Sequence, residues 1–363
     1  MNRKTTSALI ILLAAILSAR AVFMAVDKKS NPRYSDSVSL SQLSNLDAGD
    51  VSSLGILFPA SELEVLYVRD NNNWRMPQYR NAFALGEKLN GILRDVLNSD
   101  GIKIVTPVDR DYGFNGNGIR FRFYSGGKTP ALEIECGKEI PGYGRSDSYI
   151  RIYGKPQIYH INGNPVARLG ARNNLPPLVD PRVIPRAVTG SARLARIEFE
   201  PGWLGPFRGI MRKEKVLDAS NPDMKRLIDT GVRIHEWFAF SEKSETRLDE
   251  KSAAEFAGFI ENLAFNRIPR LEEIDGKAAG LSGKKLRLGY ESEDRSGALT
   301  STEYILEILS SDGKGNRHIF FSGTGLVSSI TERDAERLLP DFETLLRPPA
   351  PPPVPKNQLL PNM

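Results

Sequence analysis

The sequence has few of the residues from which most metal and thiol sites are built. It contains one cysteine, Cys136, and its three histidines, His160, His235 and His318, have no neighbour at metal-ligand spacing. A single cysteine excludes an internal disulfide, and so excludes the small secreted scaffolds that depend on disulfides. Cys136 continues an alternating apolar pattern, which predicts a small core residue and not a reactive thiol.

Complete motifs for phosphate or calcium binding are also absent from the sequence. The glycine-containing stretch that ends at Lys284 has Ala278 where a phosphate loop needs glycine, and Lys285 where it needs serine or threonine. A calcium loop that begins at Asp109 would need an acid at its twelfth position, which is Arg120. We therefore predict no catalytic, cofactor-binding or metal-binding residues, and a protein that is not an enzyme.

One long apolar run is present, at the N-terminus. Residues 8–26 contain only two polar side chains, one of them Arg20, and Arg3 and Lys4 precede them. At about 1.5 Å per residue, a helix of this length spans about 28 Å, close to the roughly 30 Å hydrocarbon core of a bilayer. The pattern predicts that residues 1–30 are a signal-anchor or a signal peptide, which would place the remaining chain outside the cytoplasm.

Two outcomes follow from this segment, and they differ in whether it is cleaved. Ala19-Arg20-Ala21 has the small residues that a signal peptidase accepts, and cleavage after Ala21 would release a soluble periplasmic protein. Retention would leave a single-pass transmembrane helix in the bacterial cytoplasmic membrane, with Arg20 extending from its outer half toward the headgroups. We favour the retained anchor, with the folded part on the extracytoplasmic side.

Amino-acid composition divides the rest of the chain into a polar spacer, a folded part and a proline-rich tail. Residues 31–50 are rich in serine, asparagine and aspartate and predict a polar spacer. Residues 347–363 contain seven prolines and predict a disordered tail. Between them we expect two α+β repeats, the first over residues 51–200 and the second, more diverged, over residues 201–346.

The first repeat is predicted from strand patterns on either side of one helix. Residues 63–68 are strand-like, Trp74 follows, and the apolar residues within 85–96 fall on one helical face. Residues 119–123 and 132–136 then alternate apolar side chains with arginine in the first run and glutamate in the second. This predicts a hairpin with one apolar face and one face of cross-strand Arg–Glu pairs, worth roughly 0.2 to 1 kcal/mol each.

The second repeat follows the same order more loosely. Its expected elements are a strand at 197–199, Trp237 in place of Trp74, a helix from Asp249, and strands at 304–309 and 318–321. The run from Ile305 matches the run from Ile119 in pattern, although not in identity. The predicted fold class is therefore α+β: two related units, each an antiparallel sheet with a packed amphipathic helix, behind one N-terminal transmembrane or signal helix.

Several short motifs carry a resemblance to a known family. They are Asp111-Tyr112-Gly113-Phe114, Cys136-Gly137, Tyr149-Ile150-Arg151 and Ile158-Tyr159, and they follow the strand, tryptophan and helix of the first repeat. In this order the chain resembles a bacterial membrane-anchored family catalogued as domain of unknown function number 4340, over roughly residues 60–200 and more weakly to 346. The resemblance implies an extracytoplasmic α+β protein, in some members auxiliary to ABC exporters of the gliding-motility type. It implies no catalytic residues.

An arginine-rich segment is the feature of the sequence that most specifically indicates a binding function. Between residues 168 and 196 there is one acid, Asp180, against six arginines: Arg168, Arg172, Arg182, Arg186, Arg193 and Arg196. The basic character of the chain, whose net charge is +5, is therefore local. Prolines in the same stretch predict a long connection with outward-pointing arginines, which are candidates for binding an anionic ligand or an acidic partner. A solvated basic loop is the alternative.

Two functions fit these features. The first is a non-enzymatic, membrane-tethered accessory or scaffold protein, auxiliary to an envelope complex such as the subunits of an ABC exporter. The second is an extracytoplasmic binding module for an anionic lipid or glycan, held by the arginine segment. Nucleic acid is not an expected partner, because an exported protein rarely meets it, and the sequence leaves the oligomeric state open.

Overall fold

Most of the chain folds into two units that are rich in β-structure. The computed structural model describes Ser18, Arg20 and residues 34–104, 109–140, 146–170, 175–230, 233–270, 273, 283–294, 296–340 and 342–346. One compact unit consists mainly of residues up to Arg172, and the other mainly of residues from Val179 onward. Two antiparallel sheets with accompanying helices account for the described architecture, so the fold class is α+β, as predicted.

The first sheet has ten strands. In chain order they are β1 (Tyr34–Ser39), β2 (Ser53–Phe58), β3 (Leu63–Asp70), β4 (Asn73–Met76), β5 (Ala82–Phe83), β6 (Asp100–Ile104), β7 (Arg120–Tyr124), β8 (Leu132–Ile140), β9 (Asp147–Ile152) and β10 (Ile158–Ile161). Across the sheet they lie in the order β1-β6-β10-β9-β8-β7-β2-β3-β4-β5. Alternate side chains of the central strands enter the core, where Leu54, Ile56, Phe121, Phe123 and Ile134 are fully buried.

Two helices accompany this sheet, α1 (Leu40–Ser44) and α2 (Gly86–Leu97). The apolar residues of α2 lie on one buried face, as the 3.6-residue spacing predicts. Trp74 on β4 is 1% exposed, and its indole Nε1 donates to Asn90 Oδ1 on the helix at 3.0 Å. The tryptophan therefore anchors α2.

The opposite face of the first sheet carries alternating arginine and glutamate side chains. Arg120 and Arg122 on β7 lie in register with Glu135 and Glu133 on β8, which confirms the predicted hairpin. Arg122 lies 3.2 Å from Glu133 and 2.9 Å from Glu64 on β3. These side chains form a charged ladder across the sheet.

Gly55 on β2 makes this charged ladder continuous. β2 separates β3 from β7, and a Cβ added at Gly55 would stand 2.6 Å from Glu64 Oε1. Because glycine leaves that space free, the Glu64 carboxylate crosses β2 and reaches Arg122 on the far neighbour.

Glu135 is the buried member of the charged ladder. Its side chain is 1% exposed, and its Oε2 accepts from Arg151 Nε at 2.9 Å and lies 2.8 Å from Arg151 Nη2. Arg151 also donates to Asp109 at 2.8 Å and lies 4.7 Å from the centroid of the Phe114 ring. A carboxylate withdrawn from water in this way depends on its charged partner.

The second sheet has eight strands. They are β11 (Arg193–Phe199), β12 (Gly209–Glu214), β13 (His235–Phe240), β14 (Glu245–Arg247), β15 (Lys284–Glu293), β16 (Leu299–Ser311), β17 (Asn316–Phe321) and β18 (Leu326–Thr331). Their order across the sheet is β14-β13-β12-β11-β15-β16-β17-β18. The helices of this half are α3 (Arg186–Thr189), α4 (Pro222–Asp229), α5 (Glu250–Glu261), α6 (Glu332–Arg337) and α7 (Phe342–Leu346).

Helix α5 covers one face of the second sheet. Asp249 caps its N-terminus, with the carboxylate accepting from the Ser252 N–H at 2.8 Å, so the predicted helix start is confirmed. Phe256 on the helix stacks on Phe199 of β11 with ring centroids 6.3 Å apart, and Ile260 is fully buried. The core of this unit thus lies between α5 and the sheet.

Two boundaries drawn from the sequence are corrected by the structure. Residues 31–50 are not a spacer throughout, because β1 pairs with β6 and both Leu40 and Leu46 are buried. The division at residue 200 comes too late, since β11 pairs with β12 and β15 of the second sheet. A composition rich in serine and asparagine concealed a strand whose partner is distant in the sequence.

Two other predictions lie outside the described residues. Of the segment 1–30, only Ser18 and Arg20 are described, and the proline-rich tail at 347–363 is not described at all. Among the residues that the structure describes, no helix has both the length and the apolar character needed to cross a membrane.

Replacement of Glu135 by alanine should destabilise the first unit far more than loss of an exposed acid. Glu135→Ala leaves Arg151 with Asp109 alone, and we expect the free energy of unfolding to fall by about 2 to 3 kcal/mol. The matched control is Asp70→Ala, which removes an acid that is 54% exposed and 3.4 Å from Arg75. That change should cost less than about 1 kcal/mol. Urea unfolding followed by circular dichroism measures both, and equal losses would contradict the buried-pair account.

Candidate functional site

A groove in the second unit brings together the charged ends of several strands. It encloses about 650 Å³ and is lined by residues of β11, β12, β13 and β15, with Leu299 at the start of β16. The ionisable side chains that line this groove, called the arginine groove below, include Arg193, Arg212, Glu214, Arg233, His235 and Glu291.

Strand register places Arg212 on the face of the sheet that α5 covers. On β12, Arg212 lies two residues from the buried Ile210 and directly opposite Trp237 of β13. Trp237 is 5% exposed, so it belongs to the core. Glu214 and His235 form the next opposed pair along the same face. Arg212 therefore stands at the margin of the core, where the covered face opens into the groove.

Arg193 enters the groove from the neighbouring strand. It begins β11 and lies in register with Glu291 of β15. Burial lowers the pKa of the Arg212 guanidinium, and the charge of Arg193 lowers it further. Three carboxylates act in the opposite direction, those of Glu250, Glu261 and Glu291. Both arginines thus line a groove that also contains acids, and the charge of Arg193 acts on Arg212.

The arginines of the groove differ in their partners. Arg233 lies 3.3 Å from Glu293 and 3.9 Å from Glu214. The guanidinium groups of Arg193 and Arg212 make no hydrogen bond or ion pair with any residue that the structure describes. Two guanidinium groups with unused donors that line the same open groove are suited to binding an anion.

His235 is held toward its neutral form. Burial lowers the pKa of its imidazole, and the charge of Arg212 lowers it further, while Glu214 acts in the opposite direction. Since an unperturbed histidine already titrates near pH 6.5, the ring of His235 is uncharged at neutral pH. The positive charge of the groove therefore comes from its arginines.

The six arginines predicted from the sequence are not gathered in one place. Three are engaged within the protein: Arg168 binds Asp95 at 2.5 and 2.7 Å, Arg182 binds Asp180 at 2.9 and 2.6 Å, and Arg196 binds Glu198 at 2.7 Å. Arg186 lies on α3, and Arg172 lies outside the described residues. Arg193 is the member of the set that lines the groove.

Sequence reasoning missed the other residues of the groove. Arg212 lies on β12, a strand that was not predicted, and His235 was set aside as an isolated histidine. The signal that could have found Arg212 is its two-residue spacing from Ile210, which places a charge on the apolar face of a strand. The missing information was the opposed tryptophan, because strand register is not visible in the sequence.

The other two histidines and the cysteine serve the fold. His318 is 6% exposed, and its Nδ1 lies 3.0 Å from Ser329 Oγ. His160 Nε2 lies 3.0 Å from an oxygen of Asp147. Cys136 is buried, and burial raises the pKa of its thiol, as expected for a core residue. No group of three or more potential ligands is placed to hold a metal ion in the part of the chain that the structure describes.

Comparison of the chain with protein-family models, with curated proteins and with solved structures gives no match in any of the three. The resemblance to the domain of unknown function therefore stays a prediction. The arginine groove has to be interpreted from its own geometry.

Removal of Arg212 should raise the pKa of His235. Arg212→Ala removes one of the positive charges that hold the imidazole neutral, so its pKa should move up toward the ordinary value for histidine. An NMR titration of the imidazole C–H protons measures the change. Arg196→Ala is the control, because Arg196 pairs with Glu198 and does not line the groove. A pKa that stays constant in Arg212→Ala would mean that the charge of Arg212 does not act on the imidazole.

Proposed function

We propose that this protein is a non-enzymatic accessory protein, tethered to the bacterial cytoplasmic membrane and working on its extracytoplasmic side. It would act as a scaffold for an envelope complex, in the manner of the auxiliary components of ABC exporters of the gliding-motility type. The observation that carries the proposal is an internal duplication, in which two sheets of one strand order each present a charged face.

The two sheets follow the same order when the first is read from β5 and the second from β14. In the first, β5-β4-β3-β2 continues into β7-β8-β9-β10, and in the second, β14-β13-β12-β11 continues into β15-β16-β17-β18. Each series consists of two four-stranded meanders joined through their first strands. The helix between the meanders, α2 or α5, has 12 residues in both cases. β1 and β6 extend the first sheet beyond this common plan.

Equivalent backbone hydrogen bonds link each tryptophan to the start of its helix. The carbonyl of Trp74 accepts from the Ala84 N–H at 2.9 Å, and the carbonyl of Trp237 accepts from the Leu248 N–H at 2.9 Å. Both donors stand two residues before the first residue of the helix. These equivalent bonds support the proposal that the two tryptophans occupy the same position in a common plan.

The next residue also makes the same kind of bond in both units. Leu85 N–H donates to the carbonyl of Leu178 at 2.7 Å, and Asp249 N–H donates to the carbonyl of Leu345 at 3.1 Å. Both acceptors lie in the chain that follows the last strand of the sheet. In each unit the chain thus returns to the beginning of the helix, a detail that favours descent from one ancestral unit over coincidence.

This correspondence changes the alignment of the two repeats. Strand β7 corresponds to β15, whereas the sequence pattern matched Ile119 to Ile305, which lies on β16. A shift of one strand accounts for the absence of shared residues between those two runs.

Each sheet also turns a charged face away from its helix. The charged ladder occupies this face in the first sheet, and in the second Lys285 lies 3.7 Å from Glu307 and Arg196 binds Glu198. Charged sheet faces suit reversible contacts between proteins, which are polar and hydrated, better than they suit enclosure of a small substrate. This is the physical support for a scaffold.

The position of β1 brings the first unit close to the proposed membrane anchor. The apolar segment ends at residue 26, and β1 begins at Tyr34. The intervening residues, 27–33, can reach at most about 25 Å even when fully extended. A tether of this length would keep the first unit beside the bilayer, where the components of an envelope complex are found.

Extraction of native membranes with a mild, uncharged detergent should recover the full-length protein together with a defined set of envelope proteins. The matched control is the double variant Lys285→Glu, Glu307→Lys, which keeps the cross-strand ion pair but inverts the local charges. We expect the control to fold normally and to lose partners that contact this face. Recovery of the wild-type protein alone would contradict the accessory role.

N-terminal sequencing of the protein isolated from the bacterial envelope tests the tether separately. A retained anchor leaves residues 8–26 on the mature chain, and the protein should stay with the membrane fraction after washing at high salt. A mature chain that begins at Val22 would overturn the tether and leave a soluble periplasmic protein.

A further inference from the structure

We infer that the arginine groove of the second unit is a binding site for a phosphate group, held by Arg193 and Arg212. The inference goes beyond the accessory role, and it rests on the part of that proposal which relates the two units. It comes from comparing the same position in the two units, which the first unit fills with its own chain and the second leaves open.

In the first unit the position is occupied by Arg69. It lies on β3 directly opposite Trp74, and its guanidinium carbon lies 4.9 Å from the centroid of the indole ring. The guanidinium donates to the backbone carbonyls of Gly49 at 3.0 Å and Ala48 at 3.4 Å. These acceptors belong to the turn that precedes β2, so the first unit provides the hydrogen-bond partners of its own arginine.

In the second unit the same position is occupied by Arg212. It lies on β12 directly opposite Trp237, and β12 corresponds to β3 in the shared strand order. The chain before β11 takes another course, since the carbonyl of Val188 accepts from Tyr304 Oη at 3.4 Å. No carbonyl of the described residues accepts from the Arg212 guanidinium, and the arginine groove of about 650 Å³ opens in front of it.

Arg212 is half-buried and faces an open groove, where an anion can replace water. Charge-assisted hydrogen bonds to an anion are stronger than neutral ones, so such a ligand is favoured there. Arg193 lines the same groove, so an anion that bonds to both guanidinium groups would also offset the charge of Arg193 on Arg212. A single carbonyl or carboxylate cannot satisfy two forks fully, whereas a phosphate presents three or more oxygens around one centre.

The acids around the groove limit what else it can take. Arg233 is engaged by Glu214 and Glu293, so it closes one end and does not add a free donor. Glu291 lies in register with Arg193 and would oppose an anion that extends toward it. The volume of the groove exceeds that of inorganic phosphate, so a phosphate monoester, either a soluble one or the headgroup of a phospholipid, also fits the chemistry.

The test is isothermal titration calorimetry of the full-length protein in micelles of an uncharged detergent. Two probes separate the sources of the phosphate: inorganic phosphate, and a water-soluble short-chain phosphatidic acid. We expect saturable binding of at least one probe, and a loss of about tenfold or more in affinity for Arg212→Ala and for Arg193→Ala. Tighter binding of the lipid than of inorganic phosphate would identify a headgroup site.

Two variants keep the result interpretable if Arg212→Ala folds poorly. Arg212→Lys preserves the charge but not the planar fork, and it should weaken binding while leaving the thermal unfolding midpoint unchanged. Glu291→Gln removes the opposing acid and should tighten binding. Arg69→Ala is the matched control from the first unit: it should affect stability and leave phosphate affinity unchanged, because Arg69 already has acceptors within the chain.

Absence of saturable binding by the wild-type protein at millimolar concentrations of both probes would overturn the inference. Equal affinities of the wild type and the folded Arg212→Lys and Arg193→Ala variants would overturn it too, since the anion would then bind elsewhere. Neither result bears on the recovery of envelope partners, which tests the accessory role independently.

Discussion

A guanidinium on the covered face of a sheet must find hydrogen-bond acceptors, and both units are organised around this requirement. Arg69 and Arg212 each stand opposite the tryptophan that supports the helix. Neither side chain can escape to the other face, because alternation along a strand fixes the side on which it points. The first unit meets the requirement with a turn of its own backbone, and the second meets it with an open groove.

The tryptophans link this arginine to the rest of each unit. Each tryptophan lies beside the arginine through its side chain and holds the chain before the helix through its carbonyl. The helix in turn closes the core over the apolar side chains of the sheet. A change in the strand that carries the arginine would therefore alter the position of the helix as well. The arginine and the tryptophan keep the same arrangement in both units, and the two units differ in what accepts hydrogen bonds from the arginine.

The sequence predicts those features that depend on near neighbours along the chain. Helix α2 follows from the spacing of its apolar residues, the start of α5 from the cap at Asp249, and the β7–β8 hairpin from alternation around a glycine-containing turn. Partners that are distant in sequence are a different matter. Arg168 and Asp95 are 73 residues apart. The sequence therefore predicted an outward-pointing arginine, whereas in the structure Arg168 is paired with Asp95.

The elements that the sequence missed share one physical cause. β1 is polar in composition and becomes a strand through pairing with β6, and β12 is short and obtains its register from neighbours on both sides. β15 has a clear alternation of charged and apolar residues, but its first residue, Lys284, follows a glycine, and this pair resembles the end of a phosphate loop. Of the groove, Arg193 could be named from composition, while Arg212 needed the register of three strands.

The order of the two units along the chain explains why the position opposite the tryptophan is filled in the first unit and open in the second. The segment that provides acceptors to Arg69 lies between α1 and β2, at the point where the chain enters the first unit. On the proposed arrangement β1 and α1 separate this segment from the membrane tether, and the pairing of β1 with β6 anchors it. The second unit is entered from the first unit, through a connection with no counterpart of β1 among the described strands. On the proposed duplication, the arginine and the tryptophan are common to both units, whereas the turn that satisfies the arginine belongs to the first unit, and an anion can take the place of that turn in the second.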